Sequence, residues 1–145
     1  MMNFLEKLKP LALLLLRLAL AIVFVFHGYP KLFGETQRFV RAFADLGLPA
    51  YTVYIAGILE LFGGCLLVLG LFTRPVGMLL TLHMAAAMYK FNLREGFYAV
   101  REYELPLTLA AAAFALAAVG AGTLSADHLI YGTRSRSKPK TPKDQ

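Results

Sequence analysis

Apolar residues fall in four long runs separated by short polar stretches. The first goes from Leu11 to Phe26 and is interrupted only by Arg17. The second, Ile55 to Phe72, contains Glu60, and the third, Val76 to Tyr89, contains His83. The fourth runs from Leu105 to about Leu124. Gly120 and Gly122 end or loosen its helix, and Ser125 can cap a short amphipathic turn that holds Leu129 and Ile130. Each reaches or approaches the roughly 20 helical residues that cross a hydrocarbon core. Inside lipid the backbone must satisfy its own hydrogen bonds, so these runs predict helices and not strands. The third is the shortest and draws on Tyr89–Asn92, or on local thinning of the bilayer, to complete its crossing. The expected fold class is all-α: an integral membrane four-helix bundle over residues 1–132. A basic, disordered cytoplasmic tail rich in Lys, Pro and Ser follows over 133–145.

Between the first two runs, Thr36 to Leu46 reads as a short amphipathic helix. Phe39, Phe43 and Leu46 share one face, while Arg38, Arg41 and Asp45 are polar. Gly47 and Pro49 stop it. Such a helix lies at the interface, as a lid on the outer end of the bundle. The first run does not read as a signal peptide, because Arg17 breaks it and no polar cleavage region follows Phe26. Lys7, Lys9, Arg74, Arg134, Arg136, Lys138, Lys140 and Lys143 fall on one side of the spans. Lys31, Arg38, Arg41, Lys90, Arg94 and Arg101 fall on the other. The bias places both termini in the cytoplasm. Tyr29, Tyr51, Tyr54, Tyr89, Tyr103 and Tyr131 sit near the expected interfaces, where an amphipathic ring belongs.

Composition agrees: 58% of the residues are hydrophobic and only 17% charged, outside the range of an ordinary soluble domain. The net charge of +6 gathers at the ends of apolar runs and not along a polar face. Lipid head groups are therefore the expected partner, and nucleic acid is not. The single cysteine, Cys65, allows no intramolecular disulfide and no dithiol exchange, and its glycine-rich apolar setting suits a small buried hydrophobe.

Arg17, Glu60 and His83 carry the candidate chemistry, because ionisable groups inside spans must face protein or water. Counted along the helices, Arg17 lies roughly 10 Å, His83 roughly 12 Å and Glu60 roughly 18 Å from the inner boundary. A long arginine side chain bridges that difference, so the three are expected to form one buried cluster. Glu60 shares its face with Ala56, Gly57, Gly63 and Gly64, small residues that let helices approach closely. Arg17 lines up with Ala21, Phe24, Gly28 and Lys31, and His83 with Lys90. His27, Lys31, Lys90 and Glu104 are the candidate binding residues at the outer mouth. Two readings of the cluster stay open. Arg17 and Glu60 form an ion pair that fixes helix register, or the cluster lines a polar cavity with Glu60 as proton carrier. A bis-histidine haem does not fit, since His27 lies roughly 25 Å deep, twice the depth of His83. No His, Asp or Glu set has metal-site spacing, so no metal site is assigned.

These residues also form a recognisable series. Arg17 is followed by His27, Gly28, Lys31, Leu32 and Gly34; Gly47, Leu48 and Pro49 precede the second run. Then come Glu60, Gly63, Gly64 and Gly70, and finally Gly120, Gly122, Ser125 and Asp127. In this order the chain resembles the DoxX-like family of membrane proteins, over most of residues 11–130. The resemblance implies a four-helix bundle in the cytoplasmic membrane. It also implies kinship with subunits linked to thiosulfate:quinone oxidoreductase and with membrane oxidoreductase assemblies that handle thiol stress. The lone Cys65 argues against disulfide exchange by this chain itself.

Three functions follow as alternatives. The first is a membrane subunit of a redox complex, with the Arg17–Glu60–His83 cluster near a quinone or proton path. A quinone carbonyl needs a donor and its reduction needs a proton source. The second is a non-catalytic scaffold or assembly factor that docks a partner enzyme. The third is a small-solute transporter, which in so short a chain without broken helices requires a homo-oligomer. A quinone is the only cofactor suggested, and a protein partner in the membrane accompanies the first two readings.

Overall fold

The computed structural model describes residues 2–95 and 100–131. They form six helices: α1 Met2–Leu32, α2 Thr36–Asp45, α3 Tyr51–Leu69, α4 Thr73–Glu95, α5 Val100–Val119 and α6 Ala126–Tyr131. Among the described residues there is no strand, and the expected tail over 133–145 lies outside them. Helix boundaries differ from the apolar runs where local backbone chemistry decides. α3 stops at Leu69 because Gly70 turns left-handed (φ 66°), with its N–H on Leu67 O and that of Leu71 on Leu66 O. α4 then starts at Thr73 and continues to Glu95, which supplies the length its apolar run lacked. The fourth apolar run continues to Leu124, but α5 ends at Val119, at the glycines expected to end or loosen it. Gly120 and Gly122 take φ values of 93° and 77°, closed to a continuing right-handed helix. α1 carries Pro10 and Pro30 within it.

α1, α3, α4 and α5 pack as an antiparallel bundle, each on its neighbour in chain order, with α5 returning to α1. Close approach is carried by glycine. A Cβ on Gly28 would lie 2.5 Å from Leu61 N and 2.9 Å from Gly57 O, so α1 and α3 touch backbone to backbone. Gly77 does the same for α4 against Ala113 O of α5, at 2.8 Å. Leu20, Ala21, Phe24, Leu67, Leu80, Met84, Ala113 and Leu116 fill the centre. Their outward counterparts are equally apolar: Leu15, Ile22, Phe26, Ile58, Phe62, Leu79, Leu82, Leu107 and Phe114 are all exposed. Cys65, expected to be buried, is exposed among them, because Gly63 and Gly64 take the inward positions of that turn. A continuous apolar girdle of this kind suits lipid and not water. The protein is an all-α integral membrane bundle.

α2 lies across one end of the bundle, touching α1 and α3. The α3–α4 turn and α6 lie at the other. Both ends are held by polar groups, and these are the places where chemistry is available.

Candidate functional site

At the α2 end, the packing of Gly28 against Glu60 and Gly57 brings α1 and α3 level. Glu60 is buried, with 4% of its surface exposed, and so is Lys31, with 7%. The Lys31 ammonium donates to Glu60 Oε2, and His83 Nε2 from α4 lies 3.0 Å from Glu60 Oε1. One carboxylate therefore ties three helices together. The Phe39 ring of α2 stands over the Lys31 ammonium at 5.5 Å, a cation–π contact that closes the site from above.

Helix geometry explains why the partner is Lys31. Every Cα–Cβ bond tilts toward its own helix N-terminus, and long side chains follow it. Lys31, near the end of α1, therefore reaches back down the bundle. Glu60, on the antiparallel α3, leans up toward it. Arg17 obeys the same rule and leans away from Glu60. Its Nη1 donates to Ala121 O and its Nη2 to Leu124 O, both at 2.9 Å. These carbonyls are available because α5 has ended at Val119. The expected Arg17–Glu60–His83 cluster is thus corrected: Glu60 and His83 meet, Lys31 replaces Arg17, and Arg17 belongs to the α6 end.

There, the guanidinium passes so close to Gly70 that a Cβ would lie 2.6 Å from Nη1. Asp127 accepts the N–H groups of Phe72 (2.7 Å) and Thr73 (2.9 Å), capping α4 from a distant part of the chain. Its own N–H donates to Gly70 O at 2.9 Å. Ser125 Oγ accepts the His128 N–H at 3.1 Å and so caps α6, as the residue types had suggested. The motif residues thus sort into two sets. Gly28, Lys31, Glu60 and Gly63 build the α2 end; Arg17, Gly70, Gly120, Gly122, Ser125 and Asp127 build the α6 end.

The remaining candidates are dispersed. His27 is exposed and its Nδ1 lies 2.8 Å from Val23 O of its own helix, so it faces away from Glu60. Glu104 is exposed on α5, outside the site. Lys90 lines a cavity of about 290 Å³ between α2, α3 and α4. Phe43, Leu46, Leu48, Ile55, Ala86 and Ala87 form its apolar walls, and His83 lines it beside the Glu60 contact. The cavity could not be read from the sequence, because its walls come from three helices and the loop after α2. A larger hollow of about 720 Å³ at the α6 end is lined by Arg74, Asp127 and His128 among others. There the one carboxylate is already committed to the backbone of α4. The smaller cavity is the better candidate, since the ring that lines it, His83, is itself paired with the buried Glu60 carboxylate.

Comparison with known proteins agrees with the motif series. The family described as DoxX matches residues 12–93. A Bacillus subtilis (strain 168) protein named "Putative oxidoreductase CatD" is 33% identical over 118 residues, 81% of this chain and 86% of that protein. This chain belongs to the DoxX family. "Inner membrane protein YqjF" of Escherichia coli (strain K12) is 28% identical over 86% of this chain and 96% of its own length. "Inner membrane protein YphA" of the same organism is 37% identical over 49% of this chain and 51% of its own. No solved structure matches. The DoxX match takes in Arg17, Lys31, Glu60 and His83, and so the whole of the α2-end site, and stops short of Ser125 and Asp127.

Proposed function

We propose that this DoxX protein is a membrane subunit of a redox complex, crossing the inner membrane four times with both termini in the cytoplasm, and that the cavity beside His83 takes the head of a quinone. The carrying observation is the pairing of His83 Nε2 with the buried Glu60 carboxylate while the same ring lines an apolar-walled cavity. At about 290 Å³ the cavity sits at the lower edge of the roughly 300–1,000 Å³ typical of small-ligand pockets. That suits a single ring with its chain running into lipid. Glu60 orients the imidazole, as a buried carboxylate does for a general base, and Lys31 balances the carboxylate's charge. His83 is then the group that exchanges a proton with a ligand in the cavity, in place of Glu60, whose two oxygens are both engaged. A bound quinone would supply two-electron, two-proton chemistry, with electrons exchanged with a redox centre of a partner subunit. The name of the Bacillus relative supports a redox setting, and the names of the Escherichia relatives support the inner membrane.

The test is to purify the protein from its membranes in mild detergent, extract the lipids and quantify quinone by chromatography. Quinone should accompany the wild-type protein near stoichiometrically and be lost from His83→Leu at unchanged melting temperature. A wild-type protein that retains none, and binds none when it is added, would reject the proposal. The scaffold reading is favoured in that event by the complete engagement of Glu60, which suits a packing device as well.

A further inference from the structure

We infer that the His83 cavity recognises the reduced, hydroxyl-bearing form of its ring ligand, a hydroquinone, in preference to the oxidised quinone. The inference rests on the quinone-head reading above and follows from the order of hydrogen bonds around Glu60.

Lys31 has only donors to offer, so the Glu60 oxygen facing it accepts. With the ammonium on Oε2, the buried group is a carboxylate, which has no donor of its own. His83 Nε2, 3.0 Å from Oε1, must therefore carry the hydrogen; a bare nitrogen there would set lone pair against lone pair. Charge decides the other ring nitrogen. Lys31 and Glu60 cancel, and a neutral imidazole keeps the buried set at zero, whereas an imidazolium would leave an uncompensated positive charge inside the membrane. A neutral ring with hydrogen on Nε2 has a lone pair on Nδ1. Nδ1 makes no hydrogen bond among the described residues, and the ring lines the cavity.

The ligand is thus offered an acceptor. A hydroquinone hydroxyl donates to it, while a quinone carbonyl meets it acceptor to acceptor. No other group in the cavity reverses this preference: the Tyr89 hydroxyl can donate to one form and accept from the other. The Thr52 hydroxyl is committed to Pro49 O at 2.6 Å. Lys90, about 10 Å further along α4, can donate to an oxygen of either form. Lys31, though it never touches the ligand, is a positioning residue, since it holds Glu60 as the carboxylate that sets the tautomer of His83.

The test is an anaerobic calorimetric titration of the purified protein in detergent with a short-chain alkyl benzoquinone and, separately, with its hydroquinone. The wild-type protein should bind the hydroquinone at least about tenfold more tightly, which raises the midpoint potential of the bound two-electron couple by about 30 mV. Glu60→Gln, whose amide oxygen accepts from Lys31 and whose NH2 donates to His83 Nε2, should move the ring hydrogen to Nδ1 and abolish or reverse the preference. Equal or tighter binding of the quinone by the wild-type protein would overturn the inference and leave the quinone pocket standing. So would a tenfold preference for the hydroquinone that survives in a folded Glu60→Gln protein. Binding of neither form to a protein that melts normally would overturn both.

Discussion

Replacing Lys31 with Met leaves the Glu60 carboxylate buried without its countercharge, and Glu60→Gln does the reverse to the ammonium. The side chains are 9% and 5% exposed, so water cannot take over either role. Breaking such a pair from one side costs about 3–5 kcal/mol in water-soluble proteins. The lower end, about 3 kcal/mol, applies here, because a chain unfolded within the membrane also finds polar partners. The double variant removes both charges and should cost no more than either single change, a coupling of about 3 kcal/mol or more. Arg17 provides the control. Its guanidinium sits against Gly70, about 15 Å along α3 from Glu60 at about 1.5 Å per residue. Arg17→Met and Glu60→Gln should therefore add to within about 0.5 kcal/mol. Reversible unfolding in mixed detergent–dodecyl sulfate micelles, followed by circular dichroism, measures both cycles under one condition. A coupling between Arg17 and Glu60 that equals or exceeds the one between Lys31 and Glu60 would refute the assignment.

Gly28→Ala should destabilise by about 1–3 kcal/mol in the same assay, because the new Cβ meets backbone atoms of α3 that cannot turn aside. A neutral result would show that α1 and α3 are further apart than described. Asp127→Asn keeps one acceptor oxygen for the two N–H groups at the start of α4 and should lower stability by about 1–2 kcal/mol. Ser125→Ala removes the α6 cap and should cost about 1 kcal/mol while leaving quinone retention intact. Loss of quinone from Ser125→Ala at unchanged melting temperature would give the α6 end a part in the site. A reporter active only in the cytoplasm should work when fused after Gln145 and fail when inserted at Asp45. The opposite pattern would reverse the orientation, and activity at both positions would reject four crossings.

The number and placement of the principal helices were legible in the residues, because hydrophobic run length and the need for internal backbone hydrogen bonds leave few alternatives in lipid. The amphipathic α2, the small-residue face around Glu60 and the Ser125 cap were legible too, since each depends on near neighbours in the chain. Gly120 and Gly122 mark in the sequence where the fourth helix ends, but not the consequence: the carbonyls freed beyond Val119 are the acceptors that hold Arg17. The partners of the buried charges were decided by tertiary structure alone. Counting residues along each helix estimates Cα depth well enough, but a lysine or arginine acts several ångströms from its Cα, in a direction set by its helix polarity. In antiparallel neighbours those directions oppose, so Lys31 descends to Glu60 while Arg17 descends away from it. The cavity beside His83 was beyond any reading of the sequence, since its walls over residues 43–56 and its wall over residues 83–90 are far apart in the chain. A void is a property of what three helices fail to fill together, and only their packing defines it.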